Sequence, residues 1–184
     1  MIMKTAIVQF PSNYSFTTYD IRGTILFQQE TKYSPVLVTV ELAGLPPGVH
    51  GFHVHEKGLN SKMMQNKKIN ICKQLGGHFN PFNTTHGSYK CNTVRHAGDL
   101  INNLYVSKNG TVTVQFLDSL ISLYSDEINC VINRSIVIHD DIDDEGLPGL
   151  KALQQGYSLT EHEKESLKTG NAGNRIACGN ILLQ

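Results

Sequence analysis

Four cysteines in 184 residues are too few for a disulfide-dense scaffold. Cys72, Cys91, Cys130 and Cys178 contain no Cys-x-x-Cys pair, so a thiolate zinc site is excluded as well. Charge is also scarce: only 17% of residues are charged, and 16 basic residues balance 16 acidic ones. A nucleic-acid binder should carry a basic excess, and so should a protein drawn to an anionic membrane surface. No apolar run approaches the ~18 residues of a membrane span. Met1–Phe10 has one lysine and no apolar core of a secretory signal, so a cytoplasmic protein is expected. There is no internal repeat and no low-complexity tract.

The length fits one domain, taken here as 1–184, and a hydrophobic content of 40% can build a real core. A long helical period is missing too. Short alternating runs bounded by Gly, Pro and Asn read as strands at Lys4–Phe10, Asp20–Gln29, Pro35–Ala43 and Gly48–Glu56. Asp99–Ser107 and Thr111–Leu117 read as a hairpin closed by Lys108-Asn109-Gly110, with Asn-Gly supplying left-handed turn residues. Asn129–His139 and Arg175–Leu183 complete an all-β, eight-stranded sandwich or barrel. Two long stretches, 57–96 and 140–170, do not fit strands, and segments of that length usually carry function or are disordered. Within the second, only Lys151–Lys164 has helical character, and Gly156 interrupts it.

The histidines carry the chemistry. In a strand His53 and His55 point to one face while Phe52 and Val54 point to the other. Two imidazoles side by side are half of a metal site, although an isolated His-x-His also suits a core or a surface. His78, His86, His96 and Asp99 then follow at spacings of 8, 10 and 3, and three nitrogens with one carboxylate oxygen suit tetrahedral zinc. His139 ends the apolar run Ser135-Ile136-Val137-Ile138.

The segments Gly51-Phe52-His53-Val54-His55-Glu56, Gly77-His78-Phe79-Asn80-Pro81, His86-Gly87, Arg95-His96-Ala97-Gly98-Asp99-Leu100, His139 and Lys168-Thr169-Gly170-Asn171-Ala172-Gly173-Asn174-Arg175-Ile176-Ala177-Cys178-Gly179 together resemble the Cu,Zn superoxide dismutase family. They stand in the family order and span nearly the whole chain. The resemblance implies a Greek-key sandwich or barrel with two long functional loops. It implies disproportionation of superoxide by a histidine-bound copper bridged to zinc. Copper would be held by His53, His55, His78 and His139, and zinc by His78, His86, His96 and Asp99. His78 would then be shared between the two metals. Asp143 would link His53 to His86. Arg175 would attract the anion, with Thr169 and Lys168 beside the channel. Cys72 and Cys178 would form a disulfide, leaving Cys91 and Cys130 as free thiols. His50 and His162 fall outside the set: His50 is expected to hydrogen-bond near the fourth strand, and His162 to be exposed.

The chain departs from the family pattern in several places. The stretches around 60–71 and 145–163 are longer than in typical relatives. The segment 140–170 holds eight acids against three lysines, with Asp141 where many relatives carry a guiding lysine, so slower anion capture is expected. Lys57 and Asn180 replace apolar residues of the family's subunit contact, while Leu183 and Ile132 remain to support a homodimer. Asn174 and Ile176 flank Arg175 without a proline, so copper loading is expected not to require a chaperone. A catalytically silent metal-binding decoy or copper buffer is the alternative, but it should have lost a copper ligand or the arginine. A copper chaperone would need a Cys-x-x-Cys transfer domain, which is absent.

Overall fold

A computed structural model of the protein describes residues 3–10, 19–65, 70–90 and 94–184, with Met64 and Gln65 described in backbone only. Among the described residues, nine antiparallel strands form two sheets: β1 (Lys4–Phe10), β2 (Arg22–Gln29), β3 (Val36–Ala43), β4 (Gly48–His55), β5 (Asn102–Val106), β6 (Thr111–Asp118), β7 (Ser135–His139), β8 (Arg175–Asn180) and β9 (Leu182–Leu183). One sheet runs β6-β3-β2-β1-β9 and the other β5-β4-β7-β8. The two sheets stay separate, so the architecture is a sandwich. The ninth strand arises because the expected final strand breaks at Ile181, leaving β8 in one sheet and β9 in the other.

The alternation seen in the sequence is the alternation of burial. Ala6, Val8 and Phe10 of β1 face inward, as do Val36, Val38, Val40 and Leu42 of β3. They pack on Phe52 and Val54 of β4 and on Ile136 and Ile138 of β7 in one core between the sheets. Removing these side chains from water is the main stabilising term, at roughly 25 cal/mol per Å² of apolar surface. A smaller cluster of Leu59, Ile71, Cys72, Leu75, Val137 and Cys178 lies under the first long loop.

Two expectations need correction. The segment around Lys108-Asn109-Gly110 does not close a hairpin. β5 pairs with β4, β6 pairs with β3, and the turn carries the chain from one sheet to the other. At the base of the turn Ser107 and Thr111 are joined by the Ser107 N–H to Thr111 carbonyl bond of 2.8 Å and by the Ser107 hydroxyl, which accepts the Thr111 N–H at 3.2 Å. Within the turn Gly110 takes a positive φ of 74°, whereas Asn109 does not.

The loop after β7 is also less irregular than its sequence suggests. It folds into α2 (Leu147–Gln154) and α3 (Glu161–Thr169), with α1 (Ser61–Gln65) in the earlier loop. The signals for α3 are present in the sequence. Thr160 accepts the Glu163 N–H while Glu163 returns to the Thr160 N–H, a reciprocal cap, and Gly170 ends the helix in the left-handed region. Pro148 sits in the first turn of α2, where its missing N–H costs nothing.

Candidate metal centre

β4 supplies His53 and His55 to one face, and its neighbour β7 supplies His139 at its C-terminal end. An isolated bridge pairs His55 with His78, bringing the middle of the long loop alongside β4. The loop is then stitched down by backbone bonds from Phe79 to the Val54 carbonyl, from Gly98 to the Phe79 carbonyl, and from His86 to the Leu167 carbonyl, each 2.8 Å. These bonds bring six histidines and Asp99 together, all of them buried.

Two four-residue groups result. His53, His55, His78 and His139 form one, and His78, His86, His96 and Asp99 the other, each with its ligand atoms within 4.8 Å of one another. His78 belongs to both. In the second group three imidazole Nδ1 atoms converge on Asp99 Oδ1: His78 at 2.9 Å, His86 at 3.0 Å and His96 at 3.1 Å. The other oxygen, Oδ2, accepts the His96 N–H at 2.8 Å and the Gly87 N–H at 3.2 Å, which fixes the carboxylate. The first group is fixed from its outer side. His55 Nδ1 meets the Gly76 carbonyl at 3.1 Å, and His139 Nδ1 meets the Gly173 carbonyl at 3.3 Å.

Asp143 spans the two groups. Its Oδ2 lies 2.5 Å from His53 Nε2 and its Oδ1 2.9 Å from His86 Nε2. Such a carboxylate sets the tautomer and orientation of both rings. His53 Nδ1 is buried without a hydrogen-bond partner, and His86 Nδ1 lies 3.0 Å from Asp99 Oδ1 without the alignment of a hydrogen bond. An unsatisfied buried nitrogen costs about 1–3 kcal/mol, and a metal ion in each group would remove that cost. Imidazoles suit copper, and three imidazoles with one carboxylate suit zinc, so the donors fit both ions. Gly170 makes the arrangement possible. A Cβ there would strike Asp143 and His86, and its φ of 66° disfavours any other residue.

Protonation follows the same geometry. Burial pushes His78 down to about 3, with the nearby His53 charge adding to the effect. Burial likewise holds His55 and His139 well below the ordinary histidine value. These rings are neutral at physiological pH, as metal ligation requires. Burial opposes charge on His86, but Asp143 and Asp99 outweigh it and lift that ring to about 10. Asp99 and Asp143 are buried too, yet their histidine partners hold both below the usual carboxylate range.

A cavity of about 160 Å³ opens onto the first group, floored by His55, His78 and His139 and walled by Thr169, Arg175 and Glu165. Arg175 donates from Nη1 to the Cys72 carbonyl at 2.7 Å and from Nη2 to the Gly76 carbonyl at 2.6 Å. Cys72 is disulfide-bonded to Cys178, which joins the loop holding the arginine to β8. Lys168 does not line this cavity. It is exposed, with its ammonium 3.8 Å from Glu165. Glu165 instead reaches the wall and accepts a 2.9 Å bond from the Thr169 hydroxyl. Neither Glu165 nor the buried pair Asn102 and Asn103 beside Asp143 is marked by any sequence pattern, because their roles depend on contacts across the fold.

The sequence model described as copper/zinc superoxide dismutase matches residues 21–181. The chain belongs to the copper/zinc superoxide dismutase family. It is 40% identical over 163 residues to a Cu-Zn superoxide dismutase of Onchocerca volvulus, with 89% of each chain covered. An extracellular Cu-Zn superoxide dismutase of Brugia pahangi is 38% identical, covering 89% of this chain and 70% of that one. Among solved structures, the crystal structure of the clock protein EA4 superposes with a TM-score of 0.71 at 34% identity, covering 99% of this chain and 94% of that one.

This superoxide dismutase is an oxidoreductase that converts superoxide to oxygen and hydrogen peroxide, using copper and zinc. Nothing favours the silent-decoy reading, since both donor groups and Arg175 are present. No helix among the described residues is long and apolar enough to cross a membrane. The remaining histidines sit apart from the two groups. His50 lies between the carbonyls of His139 and Pro46, 2.9 Å from each, and His162 is exposed on α3. Cys130 is a free thiol, while Cys91 lies outside the described residues.

Proposed function

We propose that His53, His55, His78 and His139 hold the copper of this superoxide dismutase, and that His78, His86, His96 and Asp99 hold the zinc. The observation that carries the assignment is the shared position of His78, whose Nδ1 faces Asp99 while the ring also belongs to the all-histidine group. Copper, when bound, supplies one-electron chemistry: one superoxide loses an electron to become oxygen, and another gains one and two protons to become hydrogen peroxide. The residues do the rest. Arg175 draws the anion into the cavity, and its hold on two loop carbonyls keeps the guanidinium in place. Thr169 bounds the opposite wall and restricts entry to small anions, while exposed Lys168 contributes only to the outer field. His78 holds and passes a proton at Nε2. Asp143 keeps His53 and His86 aligned.

The rest of the reading concerns the molecule as a whole. Residues 1–184 act as one domain. The protein is a cytoplasmic homodimer, with Leu183, exposed on β9, and half-buried Ile132 as contact candidates. Asn180 does not weaken that contact by merely exposing an amide. Its side chain clamps Leu59, accepting from the N–H at 2.6 Å and donating to the carbonyl at 2.9 Å. Copper loading proceeds without a chaperone, and expression in a chaperone-free strain should still yield copper-loaded protein.

The decisive test is copper and zinc content per chain with superoxide consumption on the same sample. One copper and one zinc, with activity lost in His139→Ala, is expected. Zinc without copper, and no activity after copper is added, would overturn the assignment.

A further inference from the structure

Asp143 is held twice, and the second hold has nothing to do with histidine. Its carboxylate is engaged by His53 and His86, by Asn102 Nδ2 at 3.3 Å and by the Glu145 N–H at 2.6 Å. Its backbone N–H and carbonyl are both engaged by one side chain. Asn103 donates from Nδ2 to the Asp143 carbonyl at 2.9 Å and accepts the Asp143 N–H on Oδ1, also at 2.9 Å. A carboxamide offers its donor and acceptor side by side, as a peptide unit does, so Asn103 stands in for a strand partner at this point of the loop. Asn103 is only 3% exposed, and it is anchored in β5 opposite Gly51 of β4, two residues before His53.

We propose that Asn103 is a positioning residue for both metal centres: by clamping the Asp143 backbone to β5, it places one carboxylate within reach of His53 and His86 together. The role rests on the reading that those two histidines are metal ligands. The physical reason is leverage. The Asp143 side chain has only two rotatable bonds, so it can meet two rings in different groups only if its Cα is fixed. Backbone bonds hold the neighbouring residues, from Gly51 N–H to the Asp141 carbonyl and from Asp144 N–H to the Gly170 carbonyl, each 2.8 Å, and the clamp supplies the pair of bonds at Asp143 itself. Asn102 assists from the neighbouring position, donating to the Gly87 carbonyl at 3.0 Å and accepting the Tyr89 N–H at 2.8 Å, which secures the loop on the zinc side.

The test compares the wild-type holoenzyme with Asn103→Leu, which matches asparagine in size but offers neither bond, and with Asn103→Asp, which keeps the acceptor and loses the donor. Zinc release to excess chelator, the visible absorption of the copper, and the melting temperatures of the metal-loaded and metal-free forms are measured. Outer partners of metal ligands typically contribute about 10- to 100-fold in affinity. Asn103 acts one step further out, through Asp143, so Asn103→Leu should hold zinc up to about 10-fold less tightly, with Asn103→Asp in between. The copper band should shift, and the gap between loaded and metal-free melting temperatures should shrink. If both variants melt lower in both forms while zinc affinity, copper band and melting gap stay at wild-type values, Asn103 is structural only and the proposal fails. If Asn103→Leu does not fold, Asn103→Asp decides by the same readings. A wild-type protein that holds neither metal would overturn the ligand assignment, and this role with it, and the wild-type sample alone identifies that outcome.

Discussion

Cutting the Cys72–Cys178 disulfide should destabilise the metal-free protein by an amount set by how far apart the two residues lie in the chain. Their separation is 106 residues, and they join the loop that holds Arg175 to β8. Cross-linking a loop of about 100 residues removes unfolded-state entropy worth about 4.7 kcal/mol at 25 °C. For a chain of this size each kcal/mol moves the melting midpoint by roughly 2–4 °C. The double variant Cys72→Ala/Cys178→Ala should therefore melt roughly 10–20 °C lower. Alanine is the right replacement because both cysteines are buried in an apolar cluster with Leu59, Ile71, Leu75 and Val137, where a serine hydroxyl would add a separate penalty. The assay is calorimetry on the metal-free form, so that metal binding does not contribute to the midpoint. A urea titration would show the denatured state loosening as a larger slope. A fall of less than about 4 °C, equivalent to 1–2 kcal/mol, would refute the entropic argument. The activity of the metal-loaded variant provides a second check. The Cys72 and Gly76 carbonyls that hold the guanidinium lose their tether to β8, so superoxide consumption should drop even where the protein stays folded.

Other predictions follow from the same geometry. Arg175→Leu should slow superoxide consumption by about 10-fold or more and flatten its dependence on ionic strength in stopped-flow decay, because electrostatic capture contributes about 10- to 1000-fold to such rates. Asp143→Asn should weaken zinc binding by about 10- to 100-fold in competition with a chelator, since His53 and His86 lose their common acceptor. Glu165→Gln removes a like charge from the cavity wall. A unit charge at roughly 10 Å in water contributes about 0.4 kcal/mol, so capture should quicken about 2-fold at low salt. An unchanged rate would place that carboxylate outside the anion's path. Phe52→Ala should cost about 3–5 kcal/mol in denaturant unfolding, since Phe52 is fully buried between the sheets.

The strands and the residues of the two candidate metal groups were legible in the sequence for a local reason. A strand places alternate side chains on one face, so the positions of Val36, Val38 and Val40, and of His53 and His55, follow from the backbone period alone. The histidine spacings and the run from Lys168 to Gly179 then point to one family, and its ligand set corresponds to the two clusters in the fold. What the sequence did not decide is which distant segments meet. Alternation marks β5 and β6 but not their partners, so an expected hairpin proved to be a crossing between sheets. The cap at Thr160 and Glu163 was written in the sequence but outweighed by Gly156, which in the fold lies between two helices instead of breaking one. Glu165 at the cavity wall, Asn180 on Leu59 and Asn103 on Asp143 were decided only by tertiary structure. Each is a polar side chain that gains its role from a partner brought close by the fold, and for Asn180 and Asn103 that partner lies 121 and 40 residues away in the chain.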